Sequence, residues 1–312
     1  MAALLAGKLP EPPEPDLLQR IDGHRLLYRG QVNVLFGDPE SGKTFVALAA
    51  TVEALNAGRT ALVLDLDHNG VEATVARLLM LGANRAALAD LNRFRYCEPE
   101  SALDIFEVVK DCKDWQPTVA VVDSIGELLP TLKADSNNAD DFTRAHTNVL
   151  KPLARAGAAV IAIDHLAKNN DSRAKGPGGT AAKRRALGGT SLRVKATRPF
   201  SPGNGGTALL LVNKDRHGGV RRHAARPEHG SEQSAGTFVL ATDYEVSTGL
   251  GPWRVLNPSR CDRDPDETAD PADIALLNAA DPPPRTAEDA RKVLRCNKDR
   301  ANRAYRVWRE ER

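Results

Sequence analysis

The feature that most constrains the fold of this chain is the segment Gly37-Asp-Pro-Glu-Ser-Gly-Lys-Thr44, which matches the pattern G-x-x-x-x-G-K-[ST]. In that pattern a glycine-rich loop joins a strand to a helix, and its backbone N–H groups surround phosphate oxygens. The context fits, because apolar residues 32–36 precede the loop and an alanine-rich helix is predicted over residues 45–56. The pattern also predicts that Lys43 reaches the β- and γ-phosphates of a nucleotide and that the Thr44 hydroxyl ligates Mg²⁺. The residues assigned to the nucleotide are Gly37, Asp38, Pro39, Glu40, Ser41, Gly42, Lys43, Thr44 and Phe45.

Two further apolar segments end in carboxylates. Residues 119–122 lead into Asp123, which is the arrangement required of a second acid on the Mg²⁺ side of a nucleotide. Residues 60–66 contain Asp65 and are followed by Asp67. We favour Asp67 as the group that orients the attacking water, because it lies nearer the carboxyl edge, where ligands bind in such sheets. A solvated charge at a strand end remains the alternative for Asp67.

The alternation of apolar strands with helices predicts an α/β fold with a mostly parallel, doubly wound sheet. Apolar residues make up 41% of the chain but aromatic residues only 4%, so aliphatic side chains must fill the core. The strands are continuously apolar, as expected for a sheet that is covered on both faces. The predicted strands are Val32–Phe36, Thr60–Leu66, Val119–Val122, Ala158–Ile163 and Ala208–Asn213, and the predicted helices are Phe45–Asn56, Val71–Leu81 and Phe142–Ala156.

Changes in composition predict four segments. Residues 1–30 are rich in proline and are interpreted as an irregular lead-in, and residues 31–250 form the predicted core. Residues 251–271 include an acidic, proline-containing stretch, which is typical of a linker. Residues 272–312 are predicted to form a small helical module that resembles a helix-turn-helix or winged-helix domain.

Charge and cysteine content exclude several classes of protein. The net charge of +2 does not by itself indicate a nucleic-acid-binding protein, so any such surface must be local. The four cysteines lack the spacing of metal ligands, and no zinc is expected. No apolar run approaches the roughly 18–20 residues of a membrane span, and the first residues do not resemble a signal peptide. We therefore expect a soluble, cytoplasmic protein.

Three later segments indicate a resemblance to a known family. They are Ile161-Ala-Ile-Asp-His165, Gly188-Gly-Thr-Ser191 and Leu211-Val-Asn-Lys-Asp-Arg-His-Gly218. Together with the phosphate loop and Asp123, their order resembles that of the RecA/DnaB-like P-loop ATPases. The resemblance extends over about residues 25–245. Within that group it is strongest to the RepA-type hexameric helicases of plasmids and phages and to the AAA-labelled ATPases of actinobacterial mobile elements.

The resemblance implies that the cofactors are ATP and Mg²⁺, and it implies four residue roles. His165 corresponds to a polar sensor near the γ-phosphate. Lys214 and Arg216 correspond to a Lys-x-Arg pair that reaches into the ATP site of a neighbouring subunit. Asp67 stands where the family usually has a catalytic glutamate, a departure because aspartate is one methylene shorter. Ordinary strand-end residues remain the alternative for His165 and for the Lys-x-Arg pair.

Two basic segments are candidates for contact with nucleic acid. Residues 168–195 contain eight Lys/Arg and one acidic residue, a net charge of +7, and they are interrupted by glycines. Such a loop could follow a single-stranded DNA backbone without reading sequence. Residues 286–312 have nine Lys/Arg against five acidic residues, a net charge of +4, and could bind duplex DNA through a helix over 298–309. The alternatives are a basic surface loop and a helix that docks another subunit. The residues assigned to DNA are Lys168, Arg173, Lys175, Lys183, Arg184, Arg185, Lys298 and Arg303.

These observations lead to two hypotheses of function. The first is a homo-oligomeric, hexameric ring that hydrolyses ATP on contact with single-stranded DNA, acting as a helicase or translocase in the replication of a mobile element. The second is an ATP-switched DNA-binding regulator or loader that does not unwind DNA. A recombinase is less favoured, because no N-terminal polymerisation domain is recognised.

Overall fold

The computed structural model describes residues 12–136, 138–166, 181–225, 232–258, 269, 271–296 and 298–310. The chain divides into two compact units, Met1–Ser259 and Arg260–Arg312, which are described separately below. Among the described residues, no helix is long and apolar enough to cross a membrane.

The first unit is built on a sheet of nine strands, in the order β11-β10-β9-β8-β3-β7-β6-β4-β5. The six strands from β8 to β5 run parallel, whereas β9, β10 and β11 are added antiparallel at one edge. The prediction of an α/β fold with a mostly parallel sheet is therefore confirmed. The strands are β1 Leu17–Gln19, β2 Arg25–Leu27, β3 Val32–Gly37, β4 Ala61–Asp65, β5 Phe94–Cys97, β6 Val119–Asp123, β7 Ala159–His165, β8 Thr190–Ser201, β9 Gly205–Asp215, β10 Gln233–Leu240 and β11 Trp253–Leu256.

Helices cover both faces of this sheet. The central strands alternate their side chains between two apolar clusters, so that Leu35 packs in one cluster while Val34 and Phe36 pack in the other. The helices of the first unit are α1 Lys43–Asn56, α2 Val71–Met80, α3 Arg85–Ala89, α4 Ala102–Trp115, α5 Ile125–Thr131, α6 Ala139–Ala145, α7 Lys151–Arg155, α8 Ala181–Ala186, α9 Gly219–Arg222 and α10 Asp243–Ser247, with a π-helical turn at His146–Leu150 between α6 and α7.

The segment interpreted as an irregular lead-in contains a β-hairpin. Strands β1 and β2 pair antiparallel as a separate two-stranded sheet, and Leu17 lies opposite Leu27. Both leucines and the following Tyr28 are buried in the main core. The hairpin was not predicted because the prolines of residues 9–15 led us to interpret the whole segment as irregular, although the paired leucines lie after the prolines.

The second unit contains three helices, α11 Pro271–Ala279, α12 Ala287–Leu294 and α13 Lys298–Glu310. Leu277, Ala290, Ala304 and Trp308 form a small core of their own. Trp308 donates its indole N–H to the Asn278 side chain at 2.9 Å. No strand occurs in the described residues of this unit, so a winged-helix assignment has no support from a wing, and the helix-turn-helix likeness stays a prediction.

Candidate active site

The phosphate loop lies between β3 and α1, at the carboxyl end of a parallel strand. Glu40 and Gly42 have left-handed backbone conformations, with φ of 59° and 93°. Left-handed residues in such a loop help to form a concave nest of N–H groups that binds anions. Gly42 is also required sterically, because a Cβ there would overlap the ring of Phe200. The buried Ser41 hydroxyl has no hydrogen-bond partner among the described residues, and a bound phosphate could supply one.

The Lys43 ammonium is folded over this loop. Its Nζ donates to the carbonyl oxygens of Gly37 at 3.1 Å and Asp38 at 2.6 Å. Burial lowers the pKa of Lys43 below its ordinary value, and the negative charge of Asp123 opposes that change. A buried ammonium next to an anion-binding nest is suited to a phosphate. That Lys43 reaches the β- and γ-phosphates of a nucleotide stays a prediction.

Thr44 and Asp123 form the oxygen pair expected around a magnesium ion. The Thr44 hydroxyl donates to Asp123 Oδ2 at 3.1 Å, across 79 residues of sequence. Hydroxyl and carboxylate oxygens are hard donors that suit Mg²⁺, which also keeps water and phosphate oxygens in its coordination shell. The residues present therefore fit this ion. Burial and the nearby Asp67 raise the pKa of Asp123 to about 6, although the Thr44 hydrogen bond lowers it.

The structure separates the two acids at the end of β4. Asp65 is buried and accepts hydrogen bonds from the Tyr96 hydroxyl at 2.7 Å and the Asn69 amide at 3.0 Å. Asp67 is exposed, and the Ser124 hydroxyl donates to its Oδ1 at 2.7 Å. Asp65 is therefore occupied in holding the strand end. Asp67 has one carboxylate face toward solvent beside the residue that follows Asp123, so the geometry is compatible with the preference for Asp67.

His165 ends β7, the strand between β3 and β6. It lies opposite Gly37 in the parallel register, and its side chain is exposed. The preceding residue, Asp164, is buried and forms an ion pair of 2.7 Å with Lys183, which is also buried. Burial raises the pKa of Asp164, and the Lys183 charge opposes this. His165 thus lies at the site edge on a strand end fixed by a buried charge pair.

Lys214 and Arg216 lie at the end of β9 and are separated by an anchored acid. Asp215 accepts the Tyr28 hydroxyl on Oδ1 at 2.7 Å and the Arg221 backbone N–H on Oδ2 at 2.9 Å. The Lys214 ammonium donates to carbonyl oxygens in the segment that precedes β8, including that of Leu187 at 3.2 Å. Arg216 is exposed, and its guanidinium forms no hydrogen bond or ion pair within the part of the chain described.

The residues assigned to DNA have different outcomes. Lys183 is a correction, because its ammonium is neutralised by Asp164 in the interior and is not presented to a phosphate. Arg185 is exposed, and Arg303 is half-buried in α13. Lys168, Arg173 and Lys175 lie outside the described residues, as do the side chains of Arg184 and Lys298.

Sequence reasoning missed three groups that organise the site, namely Tyr28, Ser124 and Asp164, and it gave Lys183 a role in DNA binding instead of a structural one. Ser124 and Asp164 each adjoin a residue that the motifs had singled out, and their position at a strand end was the available signal. Tyr28 gave no local signal, and the basic segment around Lys183 did not indicate an ion pair with Asp164. Each meets its partner only through the packing of distant segments.

Asp123 gives a pH-dependent prediction for the metal-free protein. Its pKa rises from 3.8 to about 6 on folding, so between these values the folded state binds more protons than the unfolded state. The proton held by the buried Asp123 carboxyl therefore favours the folded state at pH 4. The free energy of unfolding falls as this proton is lost, and the loss is complete once the pH has risen through 6. Asp123→Asn removes the buried charge, so we expect the variant to be more stable than the wild type at pH 8 by about 3 kcal/mol, and nearly equal to it at pH 4.

The measurement is urea unfolding in the presence of a chelator, from pH 4 to pH 8. Asp114→Asn is the matched control, because Asp114 is exposed and its replacement should leave the pH profile unchanged. Parallel pH profiles for wild type and Asp123→Asn would contradict the raised pKa.

Comparison with known proteins agrees with this geometry. A family model described as an AAA domain (AAA_25) matches residues 3–171. Protein RecA of Mesoplasma florum is 26% identical over 246 residues, which cover 72% of this chain and 70% of that protein. Protein RecA of Deinococcus radiodurans is 24% identical over 261 residues, covering 77% and 69%. The match to protein RecA of Chlorobaculum parvum, at 27% identity, spans 41% of this chain and 34% of that protein.

The fold also has a solved counterpart. A KaiC-like protein from the hyperthermophilic archaeon Pyrococcus horikoshii superimposes with a TM-score of 0.54 at 12% identity, covering 79% of this chain and 99% of that one. The fold and the site define a RecA-like P-loop ATPase. The chain belongs to the AAA domain family whose model matches its first half. Special closeness to the RepA-type helicases stays a prediction.

Proposed function

We propose that this protein is a ring-forming, DNA-stimulated ATPase that acts as a helicase or translocase. The observation that carries the proposal is the pairing of Thr44 with Asp123 beside Lys43 and Asp67, at the carboxyl edge of three strands that lie close together in the sheet. Each residue supplies a different function for hydrolysis of a γ-phosphate. The role in replication of a mobile element rests on the sequence resemblance alone.

The division of labour follows from the geometry. Lys43 would leave the carbonyl oxygens of Gly37 and Asp38 to contact the β- and γ-phosphates, exchanging neutral acceptors for charged ones. Thr44 and Asp123 would hold Mg²⁺, which when bound neutralises the phosphate charge. Asp67, oriented by Ser124, would accept a hydrogen bond from the attacking water and align it for displacement. His165, on the neighbouring strand end, would sense the γ-phosphate.

Arg216 would complete the site of a neighbouring subunit. Its side chain is exposed at the end of β9, while Asp215 beside it is held by Tyr28 and Arg221. Arg216 directly follows the last residue of β9, so its exposed side chain is available to a neighbouring subunit. A cation delivered from a neighbour stabilises the charge of the transition state and makes assembly a condition for turnover. Lys214, near the end of β9, would support Arg216, and a closed hexameric ring is the proposed assembly.

The basic segment between β7 and β8 is the proposed DNA contact. Both flanking strands pair with β3, the strand that leads into the phosphate loop. A segment that leaves one neighbour of β3 and returns on the other is well placed to couple DNA contact to the nucleotide. Its cations, with Lys183 excepted, would follow the phosphate backbone of single-stranded DNA. The residues concerned are Lys168, Arg173, Lys175, Arg184 and Arg185.

The test is the rate of ATP hydrolysis by the full-length protein with and without single-stranded DNA. We expect stimulation that weakens steeply with added salt, because phosphate contacts release counterions. Reversing the charge of the exposed Arg185 with Arg185→Glu should reduce the stimulation and leave the DNA-independent rate unchanged. An equal rate of ATP hydrolysis by the assembled protein with and without single-stranded DNA would contradict the helicase proposal.

A second candidate, an ATP-switched DNA-binding protein, is favoured by one observation in the second unit. The face of α13 opposite its core exposes Asn302, Arg306 and Arg309, whereas Arg300 is engaged with Asp273. An exposed polar and basic face on the last helix suits entry into a major groove. Unwinding of a forked substrate would favour the first candidate. Sequence-specific binding of duplex DNA that is lost with Arg306→Glu, without unwinding, would favour the second.

A further inference from the structure

Two aromatic rings lie beside the phosphate loop without any part in the chemistry proposed above. Phe45 is in the first turn of α1, and Phe200 is at the end of β8. The rings are stacked, with centroids 5.4 Å apart and an angle of 25° between their planes. Both are partly exposed, and the Phe200 ring packs directly on Gly42 of the loop. Both rings pack against the main apolar cluster with one side and leave part of their surface accessible next to the loop.

The order of strands fixes the direction in which a nucleotide must lie. The acids assigned to the γ-phosphate are Asp123, which ends β6, and Asp67, which follows β4, and both strands lie on one side of β3. Phe200 belongs to β8, which pairs with β3 on the other side. A nucleotide whose γ-phosphate points to the acids therefore extends its ribose and base toward β8. Phe200 lies on that side, and the Phe45 ring stacks against it.

We infer that Phe200, together with Phe45, is the platform on which the base of the nucleotide stacks. The inference rests on the proposed ATPase function and deepens it by assigning the base subsite. An aromatic face binds a base through its π-surface and tolerates base identity, and a purine offers the larger surface. The site is thus built for purine nucleotides, with the phosphates on the loop and the base on the β8–β9 hairpin. That hairpin also ends in Lys214 and Asp215, so base contact and the strand end proposed to act in trans belong to one element.

The experiment measures calorimetric dissociation constants of the full-length protein for ADP and for inorganic tripolyphosphate, which has no base. Phe200→Ala should weaken ADP binding by about 10- to 100-fold, the range of base–aromatic stacking, and leave tripolyphosphate binding unchanged. Phe200→Tyr keeps the ring and should bind ADP as the wild type does. Phe238→Leu is the matched control, because the Phe238 ring lies next to the Phe200 ring but is fully buried. It should leave both dissociation constants unchanged.

Each outcome separates this inference from the proposed function. Unchanged ADP binding in Phe200→Ala would overturn the base platform while leaving the ATPase proposal standing. Equal weakening of ADP and tripolyphosphate would also overturn it, because Phe200 would then act only by supporting the loop at Gly42. A wild-type protein that binds neither ligand would overturn the proposed function and the inference together.

Discussion

Replacing Lys43 with alanine is expected to lower the rate of ATP hydrolysis at least about 100-fold, because a cation aimed at the developing phosphate charge is lost from a water-poor site. The fold should survive. The buried ammonium bonds the carbonyl oxygens of Gly37 and Asp38, but its burial also opposes the charged form, and the two effects offset each other. We expect the free energy of unfolding to change by less than about 2 kcal/mol. Steady-state hydrolysis and urea unfolding measure the two quantities.

The matched control is Lys151→Ala, which removes an exposed lysine at the start of α7 and should leave both quantities unchanged. A Lys43→Ala protein that hydrolyses ATP normally would show that residues 37–44 are not the catalytic phosphate loop. A variant that fails to fold would instead assign the lysine a structural role, which unfolding curves distinguish from a loss of turnover.

Replacing Arg216 with alanine is expected to lower turnover by about 1000-fold, the scale of a cation that completes an active site from outside. ATP binding to an isolated subunit should remain, because Lys43, Thr44 and Asp123 are intact. The sharper measurement mixes the inactive Arg216→Ala and Lys43→Ala proteins and allows the subunits to exchange. If each site combines Lys43 of one subunit with Arg216 of the next, about a quarter of the sites in an equal mixture contain both groups, and activity returns.

Recovery of activity has one interpretation in this design, since neither protein is active alone. Arg155→Ala, which removes an exposed arginine from α7, is the control and should have wild-type activity. A mixture that stays inactive although subunits exchange would contradict action in trans. Arg216→Ala with unchanged turnover would remove Arg216 from the site.

Much of the fold could be predicted because its signals are local. The strands that carry the site are continuous apolar runs, and β3, β4, β6 and β7 were each predicted within one or two residues of their observed ends. The antiparallel edge was predicted only in part. Strand β9 was recognised, but β10 and β11 were not, and neither were the outermost parallel strands β8 and β5. These strands are stabilised by packing against neighbouring strands, so neither their amino-acid composition nor an alternation of apolar and polar residues predicted them.

The sequence by itself determined the phosphate loop, the strand-end acid Asp123 and the α/β class, because each depends on residues that adjoin along the chain. Only the tertiary structure decided that Asp65 is held by Tyr96 while Asp67 faces solvent, that Lys183 is neutralised by Asp164, and that Phe200 covers Gly42. These contacts join residues 19 to 158 positions apart. Whether a polar or aromatic side chain is free to meet a ligand depends on which partner the packing provides, and a local pattern does not contain that information.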